Sequence, residues 1–187
     1  MIAILDVHYE RTMARTGCVL INAWQDVRPR AVHVASTPVS REYIPGRFYL
    51  RELPCLTNLL ERLERRPEMI VIDGHVWLLP GRPGLGHYLF EALKGDSVVI
   101  GVGKTAFKGS EGAVRVTRGR SRKPLYVTAD GMPKDEAAAC IRTMAGQHRI
   151  PLMLKMADHL ARGKLDCTSV LPIAVGPAIG AFGKGGQ

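Results

Sequence analysis

Residues 69–75 read Met69-Ile70-Val71-Ile72-Asp73-Gly74-His75. A short apolar run without polar alternation is the pattern of a strand covered on both faces. This one runs directly into a carboxylate and a polar turn. The chain opens the same way: Ile2–Val7 is apolar and rich in β-formers, and it closes around Asp6. Between these two strands, Thr16–Trp24 and Ala31–Ser36 read as further strands. Their close spacing across a basic, proline-containing turn predicts antiparallel hairpins. Leu56, Leu59, Leu60 and Leu63 recur at i, i+3, i+4 and i+7 and predict a helix over 55–65. Beyond Asp73, Leu85–Leu93 reads as a helix closed by Lys94-Gly95. Val98–Val102 reads as another buried strand, and Ala113–Thr117 and Leu125–Thr128 as weaker ones. Pro133 opens a helix with Asp135 and Glu136 in its first turn, and Leu152–Ala161 is a last helix.

The fold class that follows is α/β. Three antiparallel strands and then alternating helices and strands make a mixed sheet flanked by helices on both faces. This is the element order of the ribonuclease-H-like fold. There the first and fourth strands are neighbours, and by that analogy Asp6 and Asp73 leave the sheet side by side. At 187 residues the chain is expected to form one domain, residues 1–163, with 164–187 as a flexible Gly/Pro-rich tail. Hydrophobic residues make up 46% and charged residues 23%, a balance that argues against disorder and coiled coil. No run reaches the length of a membrane span, and the N-terminus lacks the basic and apolar regions of a signal peptide. Cys18, Cys55, Cys140 and Cys167 form no CxxC pair and read as buried free thiols. The expected state is a cytoplasmic monomer. The net charge of +9 asks for an anionic partner, nucleic acid ahead of a membrane surface.

Asp6 and Asp73, with Glu52 just ahead of the 55–65 helix, form an all-oxygen donor set that suits Mg²⁺ or Mn²⁺. Two such ions would activate a water and stabilise the leaving oxygen of a phosphodiester. Lys104 ends the strand Ile100-Gly101-Val102-Gly103-Lys104. The two glycines would admit a phosphate to the backbone, with Lys104 as its point-charge ligand. The spacing of a P-loop is absent. From Lys104 to Lys123 the chain carries seven basic residues, Arg118, Arg120 and Arg122 among them, against Glu111 alone. That is a net +6 of the total +9, a patch suited to the phosphate backbone. His75, two residues past Asp73, reads either as a phosphate contact or as a polar turn residue. No histidine spacing suggests zinc.

These segments together resemble the endonuclease V family. The resemblance rests on Asp6-Val7-His8-Tyr9, Tyr43-Ile44-Pro45-Gly46-Arg47-Phe48 and Arg51-Glu52-Leu53-Pro54. It continues through Ile72-Asp73-Gly74-His75, Ile100-Gly101-Val102-Gly103-Lys104, Pro124-Leu125-Tyr126-Val127, and Arg149-Ile150-Pro151 followed by Ala157-Asp158. It covers about residues 1–163. It implies a ribonuclease-H-like nuclease using Mg²⁺ or Mn²⁺ that nicks DNA or RNA one nucleotide beyond a deaminated purine, chiefly inosine, on the 3′ side, in repair. It further implies Asp6, Glu52 and Asp73 as metal ligands and Lys104 on the scissile phosphate. Tyr43, Ile44 and Pro45 would be a wedge entering the duplex, with Gly46 lining the pocket of the extruded base. The chain departs from the family in three places. Ala129-Asp130-Gly131-Met132 replaces the family's Gly-His-Arg, so its histidine has no counterpart, and Asp130 would supply a fourth ligand. Leu79-Pro80-Gly81 replaces His-Pro-Arg, with Arg82 one step on. Only five residues precede Asp6.

Overall fold

The computed structural model describes residues 1–39, 49–106 and 112–167. Nine strands and four helices lie within them: β1 (Ile2–Glu10), β2 (Met13–Ile21), β3 (Ala31–Pro38), α1 (Tyr49–Leu60), β4 (Met69–Asp73), β5 (Trp77–Leu79), β6 (Arg82–Pro83), α2 (Leu85–Ala92), β7 (Val98–Gly103), β8 (Val114–Val116), β9 (Leu125–Asp130), α3 (Lys134–Thr143) and α4 (Leu152–Ala161). Seven strands form one mixed sheet in the order β3-β2-β1-β4-β7-β9-β8, and β5 and β6 form a separate ribbon. The β1–β4 and β4–β7 pairs are parallel; the others in the sheet are antiparallel. The first and fourth strands are therefore neighbours, as the ribonuclease-H-like order requires.

Alternation along the central strands fills both faces. Ile2, Ile4, Val71 and Ile100 pack with Ala137, Ile141, Met153 and Leu160 of α3 and α4. Ala3, Leu5, Ile70, Ile72 and Val99 pack with Leu56 and Leu59 of α1 and Leu89 of α2. A sheet covered on both faces explains why these strands read as unbroken apolar runs. Ile4, Leu5, Ile70 and Ile72 are all essentially removed from water.

Three local expectations change. β1 runs on to Glu10, so Asp6 lies inside a strand rather than at its end. The feature that ends there is the pairing with β4: Leu5 faces Ile72, and β4 stops at Asp73 while β1 continues against β2. Helix α1 begins at Tyr49, not at 55, and passes through Pro54. Pro54 forgoes its own N–H bond and its ring crowds the turn before it, and the apolar stripe behind it offsets that cost. Glu52 thus sits in the first turn of α1 instead of ahead of it, where the helix dipole favours a carboxylate. The ribbon β5–β6 carries too few residues to show a period of two. Of the tail, residues 168–187 lie outside the described residues, and no helix of the described part is long and apolar enough to cross a membrane.

Candidate active site

Because Leu5 and Ile72 are register partners, the next residues along, Asp6 and Asp73, leave adjacent strands side by side. Such strands stand about 4.8 Å apart. Glu52 approaches from α1 on the other layer. The approach is fixed by its neighbour, since the Arg51 guanidinium lies 4.8 Å from the ring centre of Tyr9 on β1. Asp6, Glu52 and Asp73 line one open cleft with Tyr49, Gly74, His75, Arg82 and Leu85.

The carboxylates act on one another. Burial, and then the charge of Asp73, push Asp6 up to about 7, although the Val7 N–H bonds its Oδ1 at 2.7 Å. Burial, and then Asp6 and Asp73, push Glu52 up to about 8. Confined like charges of this kind favour a cation among them. The ammonium of Lys104, the residue after β7, already supplies one by donating to Asp73 Oδ2. Burial opposes the charged lysine, but the bond and charge of Asp73 outweigh it and hold Lys104 above the ordinary lysine value. The all-oxygen donor set fits a hard divalent ion. Among the described residues, however, no three His, Cys, Asp or Glu side chains are drawn into a ready-made cage. One Asp73 oxygen is spent on Lys104, so a metal would have to compete for it.

Lys104 is held at its backbone as well. Arg149, just before α4, donates from Nη2 to the Lys104 carbonyl and, at 2.8 Å, to that of Pro124. His75 Nε2 stands 3.2 Å from the Thr105 carbonyl, and burial lowers the pKa of this imidazole. The glycines before Lys104 do not present backbone to a phosphate, contrary to expectation. A Cβ on Gly103 would stand 2.3 Å from His75 Nε2, and one on Gly101 would stand 2.7 Å from the Val76 nitrogen. Their missing side chains make room for the loop that leaves β4.

Two expected site residues are placed elsewhere. Asp130 does not join the acids. β9 runs antiparallel to β7, so Asp130 pairs with Val99 while Asp73 pairs with Val102, three residues further along the same strand. Its oxygens take Trp77 Nε1 and His87 Nδ1, each at 2.7 Å. Arg118 is 8% exposed and donates to the carbonyls of Arg142, Met144, Gly146 and His148. It ties down the α3–α4 connection and offers nothing to a phosphate. Arg120 and Arg122 are exposed and remain available. Tyr43, Ile44, Pro45 and Gly46 lie outside the described residues.

One acid was missed. Asp158 on α4 raises Asp6 and acts on Lys104 through its charge, so it faces the same cluster. Arg162 holds it by a 2.7 Å bond. The pair Ala157-Asp158 was visible in the sequence, but nothing there showed α4 crossing β1 and β2 at this level.

The family model Endonuclease V matches residues 1–132. The endonuclease V of Alkalilimnicola ehrlichii is 30% identical over 168 residues, spanning 79% of this chain and 73% of that protein. The crystal structure of endonuclease V from Streptomyces avermitilis superposes with a TM-score of 0.71 at 27% identity, over 87% of this chain and 80% of that one. Endonuclease V of Ciona intestinalis, in complex with a 24mer DNA containing an inosine followed by a ribo-adenosine, shares the fold with a TM-score of 0.71. It is 18% identical, over 87% of this chain and 84% of that one.

Proposed function

The chain belongs to the endonuclease V family and is thereby an endonuclease, and on that premise we propose that it nicks inosine-containing nucleic acid with Mg²⁺ or Mn²⁺ at the second phosphodiester 3′ of the lesion, in DNA repair. The nuclease domain spans residues 1–163, and 164–187 is an appended tail. The observation that carries the reading is the convergence of Asp6, Glu52 and Asp73, from two adjacent parallel strands and a helix start, on one cleft beside Lys104.

Asp6, Glu52 and Asp73 would hold the metal, with Asp158 adding negative charge on the α4 side. A divalent ion held there would supply Lewis acidity to the phosphodiester. Lys104 exchanges Asp73 for the scissile phosphate, with Arg149 keeping its backbone in place. His75 holds the Thr105 carbonyl from the other side. Arg120 and Arg122 bind the flanking phosphates, and their exposure supports that role. Tyr43, Ile44 and Pro45 serve as the strand-separating wedge and Gly46 lines the base pocket, as the family resemblance implies. A second reading, a homologue that binds but cleaves poorly, is favoured by the absence of the family's Gly-His-Arg histidine.

Incubating the protein with Mn²⁺ and an end-labelled inosine oligonucleotide decides between them. A single cut at the second 3′ phosphodiester, lost in Asp73→Ala, is expected. Salt-sensitive binding without a cut selects the second reading, and a cut that survives Asp73→Ala refutes the assignment of the acids.

A further inference from the structure

We propose that Asp130, Trp77 and His87 form a clasp that fixes the wall of the cleft, so that Asp130 governs how tightly a lesion is gripped without touching metal or phosphate. The inference rests on the nuclease reading above. The wall is built from the ribbon, which contributes Leu78, Arg82 and Pro83, and from the start of α2, which contributes Gly84 and Leu85. The ribbon cannot hold itself. It has two register pairs, Trp77 with Pro83 and Leu79 with Arg82, and its register shifts between them. A two-stranded ribbon of that size has no independent stability in water.

At the ribbon's base the Gly84 N–H donates to the Val76 carbonyl at 2.7 Å and the Val76 N–H to Thr128 Oγ1 at 2.8 Å. Asp130 adds the side-chain support further out. Its Oδ1 accepts the indole N–H of Trp77 from the ribbon, and its Oδ2 pairs with Nδ1 of His87 from α2, both at 2.7 Å. The Trp77 and His87 rings lie against one another, with centroids 4.2 Å apart and planes tilted by 40°. The other imidazole nitrogen faces Glu91 at 3.5 Å, one turn along α2. One carboxylate at the end of β9 therefore ties together the two pieces that make the wall. The Asp130 side chain is only 16% exposed, so its hydrogen bonds act in a low dielectric. Removing it would leave two donors without their acceptor.

The test uses the full chain and Asp130→Ala, Asp130→Asn and Trp77→Phe. Asparagine keeps an acceptor for Trp77 and a polar partner for His87, but it is a poor ligand for a hard cation. Binding to labelled inosine and unmodified duplexes is read by fluorescence anisotropy, and nicking is read in single turnover at saturating enzyme with Mn²⁺. Asp130→Ala and Trp77→Phe should weaken binding to the inosine duplex by roughly three- to tenfold, on the scale of one or two hydrogen bonds. Binding to the unmodified duplex and the saturating rate should stay within about twofold of wild type on the same scale. Asp130→Asn should restore inosine binding, and amides 77–83 should exchange faster with deuterium in Asp130→Ala and Trp77→Phe but not in Asp130→Asn. A saturating rate that collapses in Asp130→Asn, with a changed Mn²⁺ requirement, makes Asp130 a ligand and overturns the clasp. Equal weakening on both duplexes, or unchanged exchange, overturns it as well. If wild type does not nick, the nuclease reading fails, and the clasp is still judged on the inosine-minus-unmodified difference and on exchange.

Discussion

Replacing Gly17 by alanine tests how the fold delivers an acid to the site. Gly17 lies on β2 directly opposite Asp6, and α4 crosses it at close range. A Cβ there would stand 2.6 Å from the Ala157 carbonyl oxygen, 2.7 Å from the Ala161 nitrogen and 2.8 Å from Leu160 Cβ. Two of these obstacles are backbone, so no rotamer change relieves them. To move from 2.6 Å to the 3.4 Å at which ordinary contact begins, α4 must retreat by about 0.8 Å. Overpacking of this kind costs about 1–3 kcal/mol, more when backbone must move. For a chain of this size each kcal/mol lowers the melting temperature by about 2–4 °C, so a fall of roughly 2–12 °C is expected. The retreat carries Asp158 away from Asp6 and Lys104, so nicking should fall further than the loss of folded protein explains. Differential scanning fluorimetry and single-turnover nicking below both melting transitions measure the two effects. An alanine variant with the melting temperature and rate of wild type would show that α4 does not seat on Gly17, and the placement of Asp158 would fall with it.

Other substitutions separate the roles of individual side chains. Arg118→Met leaves four carbonyls without their donor and should cost at least about 2 kcal/mol in urea unfolding, with no change in the salt dependence of DNA binding. Arg120→Ala and Arg122→Ala should do the reverse, each reducing the slope of log K against log salt by about one at unchanged stability. Arg149→Lys cannot span the Lys104 and Pro124 carbonyls together, and should lower kcat roughly tenfold while KM changes little. In the metal-free protein, Asp6 and Glu52 are raised to about 7 and about 8, so the folded chain keeps protons that the unfolded chain has released. Their contribution is therefore present at the acid end and lost as pH rises from about 4 to about 8, by a few kcal/mol at most after solvent screening. The melting temperature should fall more between pH 5.5 and pH 8 in wild type than in Asp6→Asn or Glu52→Gln, and equal slopes would contradict the shifts.

The sequence carried the fold well because the deciding strands are buried on both faces and say so in continuous apolar runs. Ile70 and Val71 have no polar neighbour to confuse their period. The expected 55–65 helix is shifted against the observed Tyr49–Leu60 because Pro54 is a strong local stop, overridden here by packing of Leu56 and Leu59. At the site, Asp6, Glu52, Asp73 and Lys104 were legible because their segments carry recognisable motifs. Asp130 stands where the family resemblance implies a ligand, and Arg118 in a basic run that suggests phosphate binding, but strand direction and burial decide the partners of both. Antiparallel pairing turns Asp130 away from the acids, and the carbonyls around 142–148 draw Arg118 inward. Asp158 was the converse case, a residue in plain view whose role depends on a helix crossing that no local pattern encodes.

Diffraction at the manganese edge from crystals soaked in Mn²⁺ tests most directly whether Asp6, Glu52 and Asp73 would hold a cation. The expected result is an anomalous peak within ligand distance of these three acids, with Lys104 displaced from Asp73 and no peak at Asp130. Soaked crystals without a peak among the three acids, or with one at Asp130, would contradict it.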